Sequence, residues 1–147
     1  MAGGPHVLIV EARFYTDISD ELARGAVAAL DAAGATYERL AVPGALEIPA
    51  AIRCAVESDR YDGYVALGCI IRGDTSHYDY VCTESMRGVS QMALVHLAAI
   101  GCGILTCESR EQAVARAAVD GRNKGRDAAE ACLAMVAIKR KFEIAGP

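Results

Sequence analysis

The stretch "YVALGCII" (residues 64–71) carries no charge and no break in its apolar character. A strand that faces water on one side alternates apolar with polar residues, so an unbroken apolar run of this length reads as a strand buried on both faces. Such strands occur in parallel sheets covered by helices on either side. Three further runs fit the same plan: "HVLIVEA" (6–12), "TYERLAV" (36–42), where alternation is partial, and "CGILTC" (102–107).

Between the runs the apolar period changes to that of a helix. Ile18, Leu22, Ala26, Ala29 and Ala33 recur at helical spacing until Gly34 stops them. "PGALEIPAAIRCAVES" turns at Gly44 and enters a helix whose first turn accommodates Pro49. Residues 79–100 predict the longest helix, with Val89, Met92, Ala93, His96, Leu97 and Ile100 in one stripe. Ser109 followed by Gln112 is a capping-box start for a short helix to about Ala118. After the turn "DGRNKG", a last helix is predicted from about Asn123 to Phe142, with Ala128, Cys132, Met135 and Ile138 inward. Strands alternating with helices predict a three-layer α/β/α sandwich on a four-stranded parallel sheet, joined by right-handed crossovers. With no linker or repeat in 147 residues, one domain spanning 1–147 is expected.

Aromatics are only 5% of residues against 53% hydrophobic in all, so the core must be aliphatic. No apolar run approaches the roughly 20 residues of a membrane span, and "MAGGPHVLIVEA" lacks the basic start of a secretory signal. The net charge of −4 and the absence of a basic run speak against nucleic acid as a partner. Six cysteines lie scattered without a CxxC pair or a metal-like grouping, mostly inside apolar segments. They read as small hydrophobes and reduced thiols of a cytoplasmic protein.

Ligands of such sheets bind beyond the carboxyl ends of the strands, and there the unusual residues gather: "RFYTD", "VPGALEIP", "IRGDTSHYDY" and "CESREQ". The third is either a plain polar turn or an anion cradle, since Gly73 allows a close turn and residues 74–77 lead into a helix N-terminus. His77 is a proton carrier at the mouth of a site, or a capping or surface histidine. Glu47 is a hydrogen-bond acceptor for a ligand, or a carboxylate placed at a helix start. Phe14 offers a flat face for stacking, or packs. Arg116 and Lys124 flank "AVDGR" as ligand cations or as solvated charges. His96 lies on an apolar stripe and reads as a core or interface histidine; His6 receives no role.

Taken together, "VPGALEIP", "GCIIRGDTSHYDYV", "GILTCESREQAVARA" and "NKGRDAA" resemble the lumazine synthase family in order and spacing from about residue 6 to 142. The resemblance implies a flavodoxin-like fold. It also implies condensation of 5-amino-6-(D-ribitylamino)uracil with 3,4-dihydroxy-2-butanone 4-phosphate to 6,7-dimethyl-8-ribityllumazine, the penultimate step of riboflavin biosynthesis, without a metal or organic cofactor. By motif, Phe14 would stack on the pyrimidinedione. Ala45, Leu46 and Glu47 would bind ring and ribityl chain, with Cys69, Ile70 and Ile71. Asp74 and Thr75 would hold phosphate, Arg116 would clamp it, Lys124 would add charge, and His77 would move protons.

Two departures stand out. Cys102 occupies a position where many members place a phenylalanine that closes over the ring. "AVDGR" replaces the Gly-Thr-Lys-Ala-Gly turn of members that build icosahedral shells. The resemblance further implies a pocket shared between neighbours, Phe14, Glu47 and His77 on one and Cys102 and Arg116 on the next, hence a homopentamer; the altered turn points away from a shell of 60 chains. Three rival readings are a flavodoxin-like binder without turnover, an enzyme using Cys69 or Cys107 as nucleophile, and a paralogue serving as carrier or assembly protein.

Overall fold

The computed structural model describes residues 3–144; the ends of the expected domain, residues 1–2 and 145–147, lie outside them. Four strands, β1 (His6–Ala12), β2 (Thr36–Val42), β3 (Gly63–Ile71) and β4 (Ile100–Cys107), form one sheet in the order β2-β1-β3-β4. Every pairing is parallel. Helices α1 (Thr16–Ala32), α2 (Ile48–Ser58), α3 (His77–His96), α4 (Arg110–Ala117) and α5 (Lys124–Lys141) cover it, with a 3₁₀ turn at Ala45–Glu47 before α2. The result is an α/β sandwich of three layers with the flavodoxin-like arrangement.

The period of two along each inner strand divides the core. Val7 and Ile9 of β1, with Val65, Leu67 and Cys69 of β3, face α1, α4 and α5. Leu8, Val10 and Ala12, with Tyr64, Ala66 and Ile70, face α2 and α3. Truncating a fully buried member such as Ile9 to Ala removes about 2–5 kcal/mol. β3 is buried along its length except at Ile71, as its unbroken apolar run requires. β2, at the edge, is largely exposed.

Glycine serves two distinct purposes. Gly34 ends α1 at φ 73°, a left-handed turn that other residues adopt only with strain. Gly101 lets α5 lie directly on β4, for a β-carbon there would stand 1.6 Å from the Ala128 carbonyl oxygen.

Three expected boundaries shift. The long helix begins at His77, two residues earlier than expected, and ends at His96. Leu97 then turns left-handed at φ 53°, and Ile100 belongs to β4, paired with Tyr64, instead of to the helix. The inward face of α5 follows Ala128, Cys132, Val136 and Lys139, whereas Met135 and Ile138 are exposed. The small residues opposite Gly101 and Gly103 set that face, so the stripe advances one position from the expected one.

Candidate active site

The chain leaves β1 toward β2 and leaves its neighbour β3 toward β4, in opposite directions along the sheet, so a crevice opens beyond the carboxyl ends of β1 and β3. A cavity of about 380 Å³ occupies it, built from three turns. The β1–α1 turn brings Phe14 and Tyr15, the turn after β2 brings Gly44, Ala45, Leu46 and Glu47, and β3 with the following loop brings Cys69, Ile70, Ile71, Gly73, Thr75 and His77. Tyr78 and Val81, on the first turns of α3, close one side. Among the described residues, neither arginine nor lysine lines it.

The loop within "IRGDTSHYDY" runs directly into α3. Ser76 is the N-cap of α3 without a side-chain capping bond, and His77 is the first helical residue. The backbone N–H of His77 donates to Thr75 Oγ1 at 3.3 Å. Arg72 braces the loop from below. Its Nε donates to Glu108 Oε2 at 2.6 Å, its Nη2 to Asp79 at 3.2 Å, and its guanidinium lies 4.4 Å above the Tyr78 ring. Of the expected anion-binding pair, Thr75 lines the cavity while Asp74 sits exposed on the loop outside its lining.

Arg116, Lys124 and Cys102 are elsewhere. They line a second hollow of about 450 Å³ along the outer edge of β4, with Gly103, Thr106 and Asp127. Ser109 caps α4 by accepting from the Gln112 N–H at 3.2 Å, and Gln112 Oε1 accepts from the Glu108 N–H at 2.8 Å, a capping box displaced by one residue. Arg116, in the last turn of α4, donates to the Gln112 carbonyl at 3.1 Å. Lys124, at the start of α5, lies 3.5 Å from Asp127. Cys102 is exposed, with Sγ 3.8 Å from Met86 Sδ. The residues singled out by sequence thus fall into two groups on one chain, an aromatic, carboxylate and imidazole set in the crevice and a cationic set on the β4 edge.

All six cysteines are free thiols. Burial, helped by the neighbouring Cys107, pushes the Cys69 thiol up to about 12. Burial also raises Cys107, against the opposing pull of the Arg116 charge. Both stay protonated at neutral pH, which disfavours either as a nucleophile. His96 is half-buried at the end of α3, and His6 is bound to Thr36 and Glu38 at the opposite end of the sheet. Tyr15, Tyr78, Val81 and Asp127 were not singled out from sequence; Val81, one turn beyond His77, carried the only periodic hint.

Residues 4–140 match the family described as 6,7-dimethyl-8-ribityllumazine synthase. The chain belongs to that family. Similar proteins that carry the name 6,7-dimethyl-8-ribityllumazine synthase include one from Bartonella tribocorum, 56% identical over 94% of this chain and 92% of that protein. One from Sphingopyxis alaskensis is 55% identical over 95% of this chain and 98% of its own length. A third, from Afipia carboxidovorans, is 52% identical over 95% and 88%. Lumazine synthases are enzymes, and the chain is an enzyme of this type. No helix among the described residues is long and apolar enough to cross a membrane.

Proposed function

We propose that the protein condenses 5-amino-6-(D-ribitylamino)uracil with 3,4-dihydroxy-2-butanone 4-phosphate to 6,7-dimethyl-8-ribityllumazine, releasing phosphate and water, as the penultimate step of riboflavin formation. The observation that carries this, given the family, is the division of labour between the two hollows. Among the described residues, the crevice has an aromatic face, a carboxylate and an imidazole but no lysine or arginine, and the β4 edge has Arg116 and Lys124 but no imidazole. A phosphorylated substrate needs both.

The reaction requires an amine held against a ketone, loss of water to form an imine, departure of phosphate, and ring closure. Phe14 stacks on the pyrimidinedione, and Ala45, Leu46 and Glu47 hold ring and ribityl chain over a floor of Cys69, Ile70 and Ile71. Thr75 and the N–H groups around Asp74 receive phosphate at the positive end of α3. Arg116 of a neighbouring chain clamps it, with Lys124 adding charge. His77 carries protons between amine, water and leaving group. No step asks for a strong nucleophile, and orientation supplies much of the rate.

On the family resemblance the assembly is a ring of five chains, each crevice closed by the β4 edge of its neighbour, and the separation of the two half-sites on one chain supports a shared site. Exposed apolar side chains on α3, Leu94 at 80% and Val95 at 69%, support a chain that buries surface against copies of itself. "AVDGR" supports a pentamer that stops there, and scattering from an assembly near 60 chains would refute that part. The free thiols support a cytoplasmic location.

Supplying the two substrates and following lumazine fluorescence tests the reaction: a binder or carrier forms no product. Sharing is tested by dissociating and mixing two crippled variants, Arg116→Ala and the double variant Glu47→Ala with His77→Ala. At equal amounts about a quarter of shared sites become native, so activity rises well above either parent. Activity equal to the mean of the parents would mean that each chain works alone.

A further inference from the structure

Glu11 stands next to last in β1, just below the turn that carries Phe14, and its side chain is only 3% exposed. A buried carboxylate is costly unless its oxygens are met. Here they are met twice. Arg39 of β2 forks onto it, Nε to Oε2 at 2.6 Å and Nη2 to Oε1 at 2.9 Å. Arg13 donates to Oε1 at 2.7 Å and also to Asp20 of α1. One carboxylate therefore ties β1, β2, the β1–α1 turn and α1 together.

Core stability alone gives no reason for a charge there. Val7 and Ile9, the other residues on that face of β1, are aliphatic, and an apolar side chain commonly serves as well as a buried ion pair. The clamp does, however, fix Arg13, the residue directly before Phe14. Phe14 needs such help, being 74% exposed and touching the Tyr15 ring edge-on at 4.9 Å. Within its own chain that packing is too slight to hold one orientation over the crevice.

We infer that Glu11 is a positioning residue: acting through Arg13, it holds the β1–α1 turn so that the Phe14 ring is already presented to a flat heterocycle before one arrives. The inference rests on Phe14 being the stacking face assigned above. A preorganised ring avoids an ordering cost on binding, so its loss appears in KM for the pyrimidinedione amine and leaves kcat nearly untouched.

The test is a cycle of steady-state measurements on Glu11→Gln, Phe14→Ala and the two combined. Glu11→Gln raises KM about 3- to 10-fold, while the combined variant shows the KM of Phe14→Ala alone. Independent, multiplying effects, or a fall in kcat at unchanged KM, overturn the assignment and leave Glu11 a structural residue. Arg13→Gln keeps Glu11 paired with Arg39 and cuts only the link to the turn, which covers the case in which Glu11→Gln does not fold. It too must raise KM, and an unchanged KM overturns the proposal. Should Phe14→Ala itself leave KM unaltered, the stacking role fails and Glu11's role with it. A raised KM there with multiplying effects sinks the Glu11 inference alone.

Discussion

The crevice beyond β1 and the hollow beside β4 are of similar size and built in opposite ways. The crevice is a set of turns: its chemistry comes from loop residues whose side chains are mostly exposed, above a floor of strand residues. The β4 hollow is a set of close approaches, where Gly103 and Ala128 form the wall and the cations project from helix ends. One is bounded by exposed loops and carries the polar groups proposed to recognise a ring; the other is bounded by close-packed backbone and carries charge. Neither alone has what a phosphorylated substrate requires, which supports the proposal that a second chain completes the site.

Substitution of glycine on either side should break the two differently. Gly101→Ala drives a β-carbon to 1.6 Å from the Ala128 oxygen, so α5 must leave β4. Urea unfolding should show a loss of about 3 kcal/mol or more. Gly44→Ala meets only Glu47 Oε1 at 3.1 Å, in an extended backbone at φ −157° that any residue adopts. Its loss should stay below about 1 kcal/mol. Equal losses would refute the contrast between a close-packed and a loop-built half.

The charges come next. Arg116→Ala removes the proposed clamp on the leaving group and should lower kcat/KM roughly 100-fold, the scale of lost charge-assisted hydrogen bonds. His77→Ala should cost about tenfold, short of the roughly 100-fold ordinarily supplied by a general acid or base, because orientation carries most of the rate. Equal and total loss in both would contradict the division of roles.

The smallest effect is alkaline. Cys69, in the floor of the crevice, and Cys132, beneath β4, are both raised by burial to about 12 from an unfolded value of 9.0. Between those limits the unfolded chain binds fewer protons than the folded one, so stability is complete below about pH 9 and falls as pH rises toward 12. Urea midpoints taken from pH 8 to 10.5 should decline, and Cys132→Ala should flatten the decline more than Cys54→Ala, whose thiol is exposed. An identical decline in both would remove the buried thiols as its cause.

Strand count, helix count and the crevice residues were legible because each rests on local chemistry. The unbroken run at 64–71 demanded a doubly covered strand, Gly34 demanded a stop, and Ser109 with Gln112 demanded a cap. The end of α3 was not legible. Neither glycine nor proline marks it, and Leu97 enters a left-handed turn because Ile100 must reach Tyr64 on β3. The face of α5 was misread by one position for a similar reason, since the glycines of β4 choose which side chains fit beneath the helix. Glu11 was passed over inside an apolar strand, as nothing local reveals that two arginines meet it.

By itself the sequence determined the alternation of strand and helix, the aliphatic core and the residues able to stack, accept and carry protons, because periodicity and side-chain chemistry act over a few residues. Tertiary structure alone decided that Phe14, Glu47 and His77 share one hollow while Arg116 and Lys124 occupy another. Those distances depend on how strands order themselves across a sheet, a choice made by packing among segments far apart in the chain.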